Sequence, residues 1–118
     1  MTLYPWRAGE VITAEKLRSG FQSGVVGIAA TEQIDPPGPG NNYAQFASYI
    51  LVGEVDVTFD VPFVNVPIIQ ITPRTAYPGV LIEATYTNVT PTGFTICVAR
   101  RSSATTNIDW LAIGQPDL

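Results

Sequence analysis

Three carboxylates fall close together at Glu54, Asp56 and Asp60, a grouping from which a paired acid and base or a calcium cage could be drawn. They sit in a run that alternates, with Val55, Val57 and Phe59 on one face and Asp56, Thr58 and Asp60 on the other. Solvation of a strand and protection of its edge are enough to explain acids placed that way. The chain has no histidine, which removes the usual general base and the commonest metal ligand together. Cys97 is the single cysteine, so neither an intrachain disulfide nor a thiolate zinc cluster can form. Its neighbours Ile96 and Val98 predict a half-buried thiol without redox work. None of the glycines falls in a phosphate-cradling pattern. These residues predict no catalytic group, no metal and no cofactor, and the chain reads as non-enzymatic.

The basic residues carry little more. Net charge is −4, and of the six Lys and Arg only Arg100 and Arg101 are adjacent. Nucleic acid is not an expected partner, because neutralising phosphates takes clustered cations. Arg100-Arg101 reads as a solvated strand end. Apolar runs are a few residues long, far short of the ~20 that span a bilayer, and Met1–Gly9 has no apolar run of the signal-peptide kind. The expectation is a protein made in the cytoplasm of its host cell, with no membrane partner.

Composition points instead to assembly. Of the 118 residues, 46% are apolar and 14% charged, against roughly 25% charged in an ordinary globular domain. A domain so poor in charge covers its surface best by burying part of it against other chains.

The elements that would position these groups fall into three regions. Residues 1–31 read as an N-terminal arm, 32–42 as a linker and 43–118 as the folded body. In the arm, Pro5 and Gly9 break regular structure. Thr13 offers an N-cap to one short helix with Ala14, Leu17 and Phe21 on a stripe, and Gly20, Gly24 and Gly27 end it. So short a helix is unstable alone, so the arm is expected to dock elsewhere through Tyr4, Trp6, Arg7, Leu17 and Phe21. The linker Asp35-Pro36-Pro37-Gly38-Pro39-Gly40 is a cluster of turn and polyproline formers.

From Tyr43 onward, short apolar-polar alternations separated by turn residues predict an all-β, six-stranded antiparallel sandwich. The expected strands are Tyr43–Leu51, Val55–Phe59, Pro67–Thr72, Val80–Thr87, Gly93–Arg100 and Ile108–Ile113. Pro67 suits the start of a strand, Pro91-Thr92-Gly93 a turn, and Phe94 and Trp110 the core.

The order Val57-Thr58-Phe59, Val66-Pro67-Ile68, Pro91-Thr92-Gly93-Phe94 and Asp109-Trp110-Leu111-Ala112 resembles the H-type lectin domain over roughly residues 50–114. The resemblance implies a six-stranded sandwich that forms homotrimers and, in the family, binds N-acetylgalactosamine-type sugars between subunits. Gly79, Leu81, Arg101 and Ser102 stand where those lectins place their sugar-binding polar and aromatic side chains, so the scaffold is expected without the family's site. A second resemblance lies in Trp6-Arg7-Ala8-Gly9-Glu10-Val11-Ile12-Thr13-Ala14-Glu15-Lys16-Leu17, which looks like the opening segment of many phage virion proteins, with Arg18 in place of the usual Asn.

Together the two resemblances imply a structural protein on the surface of a bacteriophage particle. Its sandwich would trimerise into a knob, and its arms would dock on a major capsid or tail protein. Length favours capsid decoration over a tail fibre, because no residues are available for a shaft. The alternative is a tail-fibre or tail-tip receptor protein that binds a host glycan through Arg74, Tyr77, Tyr86 and Arg101.

Overall fold

The computed structural model describes residues 20–34 and 49–118. Period-two alternation in these segments resolves into seven strands: β1 (Phe21–Ala29), β2 (Glu32–Ile34), β3 (Ile50–Thr58), β4 (Ile68–Arg74), β5 (Leu81–Thr90), β6 (Gly93–Arg100) and β7 (Thr105–Ile113). They form two antiparallel sheets, a three-stranded one ordered β1-β7-β4 and a four-stranded one ordered β2-β3-β6-β5.

The core lies between the sheets. Val57 from β3, Ile69 from β4, Phe94, Ile96 and Val98 from β6, and Ile108 and Ala112 from β7 all point into it and are buried. Its centre is aromatic. Phe59 meets Phe63 edge to face at 5.0 Å between ring centroids and lies 5.7 Å from Phe94 and 6.0 Å from Trp110. Offset and edge-on contacts of this kind add to the burial of the rings. Trp110 is partly buried in this cluster, and Phe94 enters the core directly after the Pro91-Thr92 turn, as the alternation predicts. Pro67 is buried one residue before β4, where its missing N–H removes no ladder bond.

Several boundaries differ from the sequence expectation. The expected breaks at 52–54 do not occur: Gly53 and Glu54 continue a single strand from Ile50 to Thr58, paired without a break to β6. The remainder of the first expected strand, 43–48, lies outside the described residues. The sheets also begin earlier in the chain than Tyr43. Phe21, read as the end of a helical stripe, opens β1, which pairs along its full length with β7; β2 falls in the segment read as linker. The glycines at 24 and 27, read as helix stops, are strand residues facing β7 partners. Gly20, the first of the expected helix stops, is helical, and β1 begins at the next residue. The rest of the expected helix, Thr13 to Leu17, lies outside the described residues.

Between β1 and β2 the chain passes from one sheet to the other. Thr31 N–H donates to the Val52 carbonyl at 3.1 Å, and Gly53 makes room for the crossing. A Cβ on Gly53 would stand 2.5 Å from the Ala29 carbonyl oxygen and 2.9 Å from Ile28 Cγ2.

Candidate functional site

The outer faces of the two sheets differ in chemistry. On the four-stranded sheet, the register sets Glu54 beside Cys97 and Thr85, and Asp56 beside Thr95 and Thr87. Thr95 Oγ1 donates to Asp56 Oδ1 at 2.7 Å, so this carboxylate is bound across the strands. Burial first, and then the neighbouring Glu54 carboxylate, push the Cys97 thiol above its ordinary range. The face is acidic and threonine-rich, and no group of histidine, cysteine or acidic side chains among the described residues is placed to hold a metal.

The three-stranded sheet turns a different surface outward. Phe21, Ile113 and Ile68 stand in one row across β1, β7 and β4, with Phe21 54% and Ile68 36% exposed. The next rows are Ser23, Leu111 and Gln70, then Val25, Asp109 and Thr72, with Val25 58% exposed, and then Gly27, Asn107 and Arg74. The apolar end continues into the loop before β4, where Val64 and Val66 are 46% and 47% exposed. From there it runs into a groove of about 720 Å3, with residues 65–69 on one side and Tyr86 and Val89 of β5 on the other. A contiguous apolar strip with a polar margin is the usual mark of a contact surface. Sequence alternation contains it, since Phe21, Ile68, Leu111 and Ile113 all occupy outward positions. Without the register, however, their alignment in neighbouring rows is not visible.

Of the four residues expected to serve a glycan between subunits, Arg74, Tyr77 and Arg101 lie at the end of the sandwich where Arg100 ties the loop after β4 to β6, and Tyr86 lies away from them. Arg74, at the polar end of the outer face, is held by Asp109 through two bonds, Nε to Oδ2 at 2.7 Å and Nη2 to Oδ1 at 3.0 Å. Tyr77 lies in the loop after β4 and is 64% exposed. Tyr86 turns inward from β5, edge-on to Phe94 at 6.3 Å. Its register partner is Ile96, toward the opposite end of β6 from Arg101, whose guanidinium sits over the Tyr49 ring at 5.8 Å. Of the residues assigned to attachment, Phe21 is the first of β1, and Tyr4, Trp6, Arg7 and Leu17 lie outside the described residues.

Arg100 corrects the reading of Arg100-Arg101 as a solvated strand end. Arg101 is exposed, but Arg100 is 0% exposed. It follows Phe94, Ile96 and Val98 on the inward side of β6, and the same alternation that identified those three assigns it inward. Its Nη1 donates to Thr106 Oγ1 at 2.6 Å, Thr75 Oγ1 at 3.0 Å and the Ala104 carbonyl at 3.3 Å, while Nη2 reaches the Tyr77 carbonyl at 3.4 Å. Two loops at one end of the sandwich are thereby fixed to a single side chain.

No protein-family model and no curated protein matches the sequence. Among solved structures the chain is similar to the tailspike gp61 of Pseudomonas phage phi297, with a TM-score of 0.50 and 15% identity over 78% of this chain. The chain spans 15% of the length of that tailspike. What the two have in common is the fold of a two-sheet antiparallel domain.

Proposed function

We propose that this chain is a non-enzymatic structural protein of the bacteriophage virion surface, a β-sandwich knob that works as a homotrimer and is anchored by the residues ahead of β1. The observation that carries the reading is a sandwich of tailspike-like fold whose three-stranded sheet exposes the apolar row Phe21, Ile113 and Ile68. Burying that row between copies answers the low charge content of the chain. Tyr4, Trp6, Arg7 and Leu17 supply the docking contacts to a capsid or tail protein, and three arms multiply one weak attachment. Capsid decoration comes first, with a tail-fibre or tail-tip position as the alternative, where a host glycan is the natural further partner.

Quantitative mass spectrometry of purified particles tests the reading. A handful of copies per particle is expected for a tail component and hundreds for capsid decoration; absence from particles overturns the proposal. Trp6→Ala is expected to leave the trimer folded while weakening its co-sedimentation with particles that lack the protein, because a buried aromatic anchor is worth about 2 kcal/mol or more.

A further inference from the structure

Among the described residues, β2 pairs with β3 from Ile50 to Val52, and β1 pairs with β7 on one side. Between the start of β1 and the chain leaving β3 lies a cleft of about 300 Å3, lined by Phe21, Ser23, Thr58, Asp60, Val61 and Trp110 together with Gln22. We propose that this cleft binds the ring of a neutral pyranoside.

Its walls are fixed before any ligand arrives. Trp110 is packed edge to face against Phe94 at 5.6 Å and tilted against Phe59 at 6.0 Å. Its indole Nε1 edge lies where a side chain on Gly24 would be, since a Cβ there would come within 2.8 Å of Nε1. The opposite wall is tied to β1 by the Gln22 amide, whose Nε2 donates to the Val61 carbonyl at 2.7 Å and whose Oε1 accepts from Val61 N–H at 3.3 Å. Little ordering is left to be done on binding.

The polar groups of the cleft are uncommitted. The Asp60 carboxylate, the Ser23 and Thr58 hydroxyls and the Trp110 indole N–H have no hydrogen-bond partner among the described residues. Trp110 Nε1 is also not sealed in the core, because the buried unpartnered side-chain atom among those residues is Arg100 Nε. A pyranose offers an apolar C–H face for an aromatic surface, here Trp110. Around its rim are hydroxyls that both donate and accept, matching a carboxylate, two hydroxyls and an indole N–H. Asp60 is the single charged side chain among the described lining residues, so uronates and other acidic sugars are repelled and neutral rings are favoured. Small-molecule pockets run from roughly 300 to 1,000 Å3, and this cleft stands at the lower bound, enough for a ring at the end of a longer glycan. None of Arg74, Tyr77, Tyr86 or Arg101 lines it. The inference does not depend on where the protein sits in a virion, because the isolated chain tests it.

The experiment is a heteronuclear NMR titration of the full chain, following the Trp110 indole N–H, with the Trp6 signal assigned through Trp6→Phe. The probes are methyl β-D-galactopyranoside, methyl α-D-glucopyranoside, methyl α-D-mannopyranoside and N-acetylglucosamine, with D-glucuronate as the acidic comparison. At least one neutral probe is expected to shift the Trp110 signal saturably, with a dissociation constant on the order of 1 mM, while glucuronate leaves it in place. Asp60→Ala, at an exposed position, is expected to keep the melting temperature and weaken that binding by about tenfold or more, the usual loss for a bond to a charged group. No shift with any of the four neutral probes, or equal binding by Asp60→Ala, overturns the proposal.

Discussion

Arg100 Nη1 lies 2.6 Å from the Thr106 hydroxyl, a hydrogen bond that runs from β6 in one sheet to β7 in the other. A guanidinium is delocalised and offers a fork of donors, so one side chain can serve acceptors in two loops and a strand without leaving the core.

Removing that fork leaves its acceptors without their donor, the buried Thr106 hydroxyl among them. Arg100→Met is expected to destabilise the fold by about 2 kcal/mol, since the carbonyls of Ala104 and Tyr77 lose a charged donor and methionine offers none. Urea unfolding measures the loss. Amide exchange should quicken around 75–79 and 102–104 while the centre of β6 stays protected, and unchanged exchange there would deny the side chain its hold on the loops.

Gly53 and Gly79 make an opposed pair. Gly53→Ala places a methyl group 2.5 Å from the Ala29 carbonyl oxygen, a backbone atom that cannot step aside, and is expected to cost about 2–3 kcal/mol. Gly79→Ala meets nothing within 4 Å, so its cost is that of a φ near +92° alone, about 1 kcal/mol. Thermal melts of the two variants should rank them in that order.

Burial and the Glu54 carboxylate keep Cys97 protonated at pH values where an exposed thiol has begun to ionise. Alkylation by iodoacetamide at pH 8 should be about tenfold slower in the folded protein than in urea. Glu54→Gln, which removes the second of these causes, should recover part of the rate. For stability the sign is downward with pH: above about pH 8.5 the unfolded chain releases a proton that the folded chain retains, so stability present below that pH is lost on the alkaline side.

Self-association tests the apolar row. Ile68→Lys adds a charge beside Ile113 on the outer face, away from the core, and is expected to leave the melting curve of the sandwich nearly unchanged while lowering the sedimenting mass at micromolar concentration. The same mass in both proteins would remove the row from the interface.

Much of the sandwich was legible in the sequence because alternation is a local property. Phe94, Ile96 and Val98 declare their face of β6 unaided, and Pro67 and Pro91-Thr92 mark where strands start and turn. Strand β1 was illegible for the opposite reason. Its inward residues include Gly24, whose lack of a side chain makes sense only beside the Trp110 indole, a partner far away in the chain. The cleft has the same origin, since its lining comes from β1, the end of β3 and β7, segments far apart in the chain. Arg100 was readable but misread: its parity is inward, and charge alone suggested solvent.

Pairing of β1 with β7 also sets the order in which the molecule can be made. Strands β5 and β6 form a hairpin and β3 pairs with β6, so these three can pair as soon as residues up to Arg100 are available. The other sheet has β7 at its centre, so β1 and β4 have no partner until Thr105–Ile113 arrives. During synthesis Phe21, Val25, Ile28, Ile68 and Ile69 therefore wait unpaired, and closure is a late, long-range step of the kind that slows folding and exposes nascent chains to aggregation. A chain cut short before β7 loses a whole layer of the sandwich rather than a single strand.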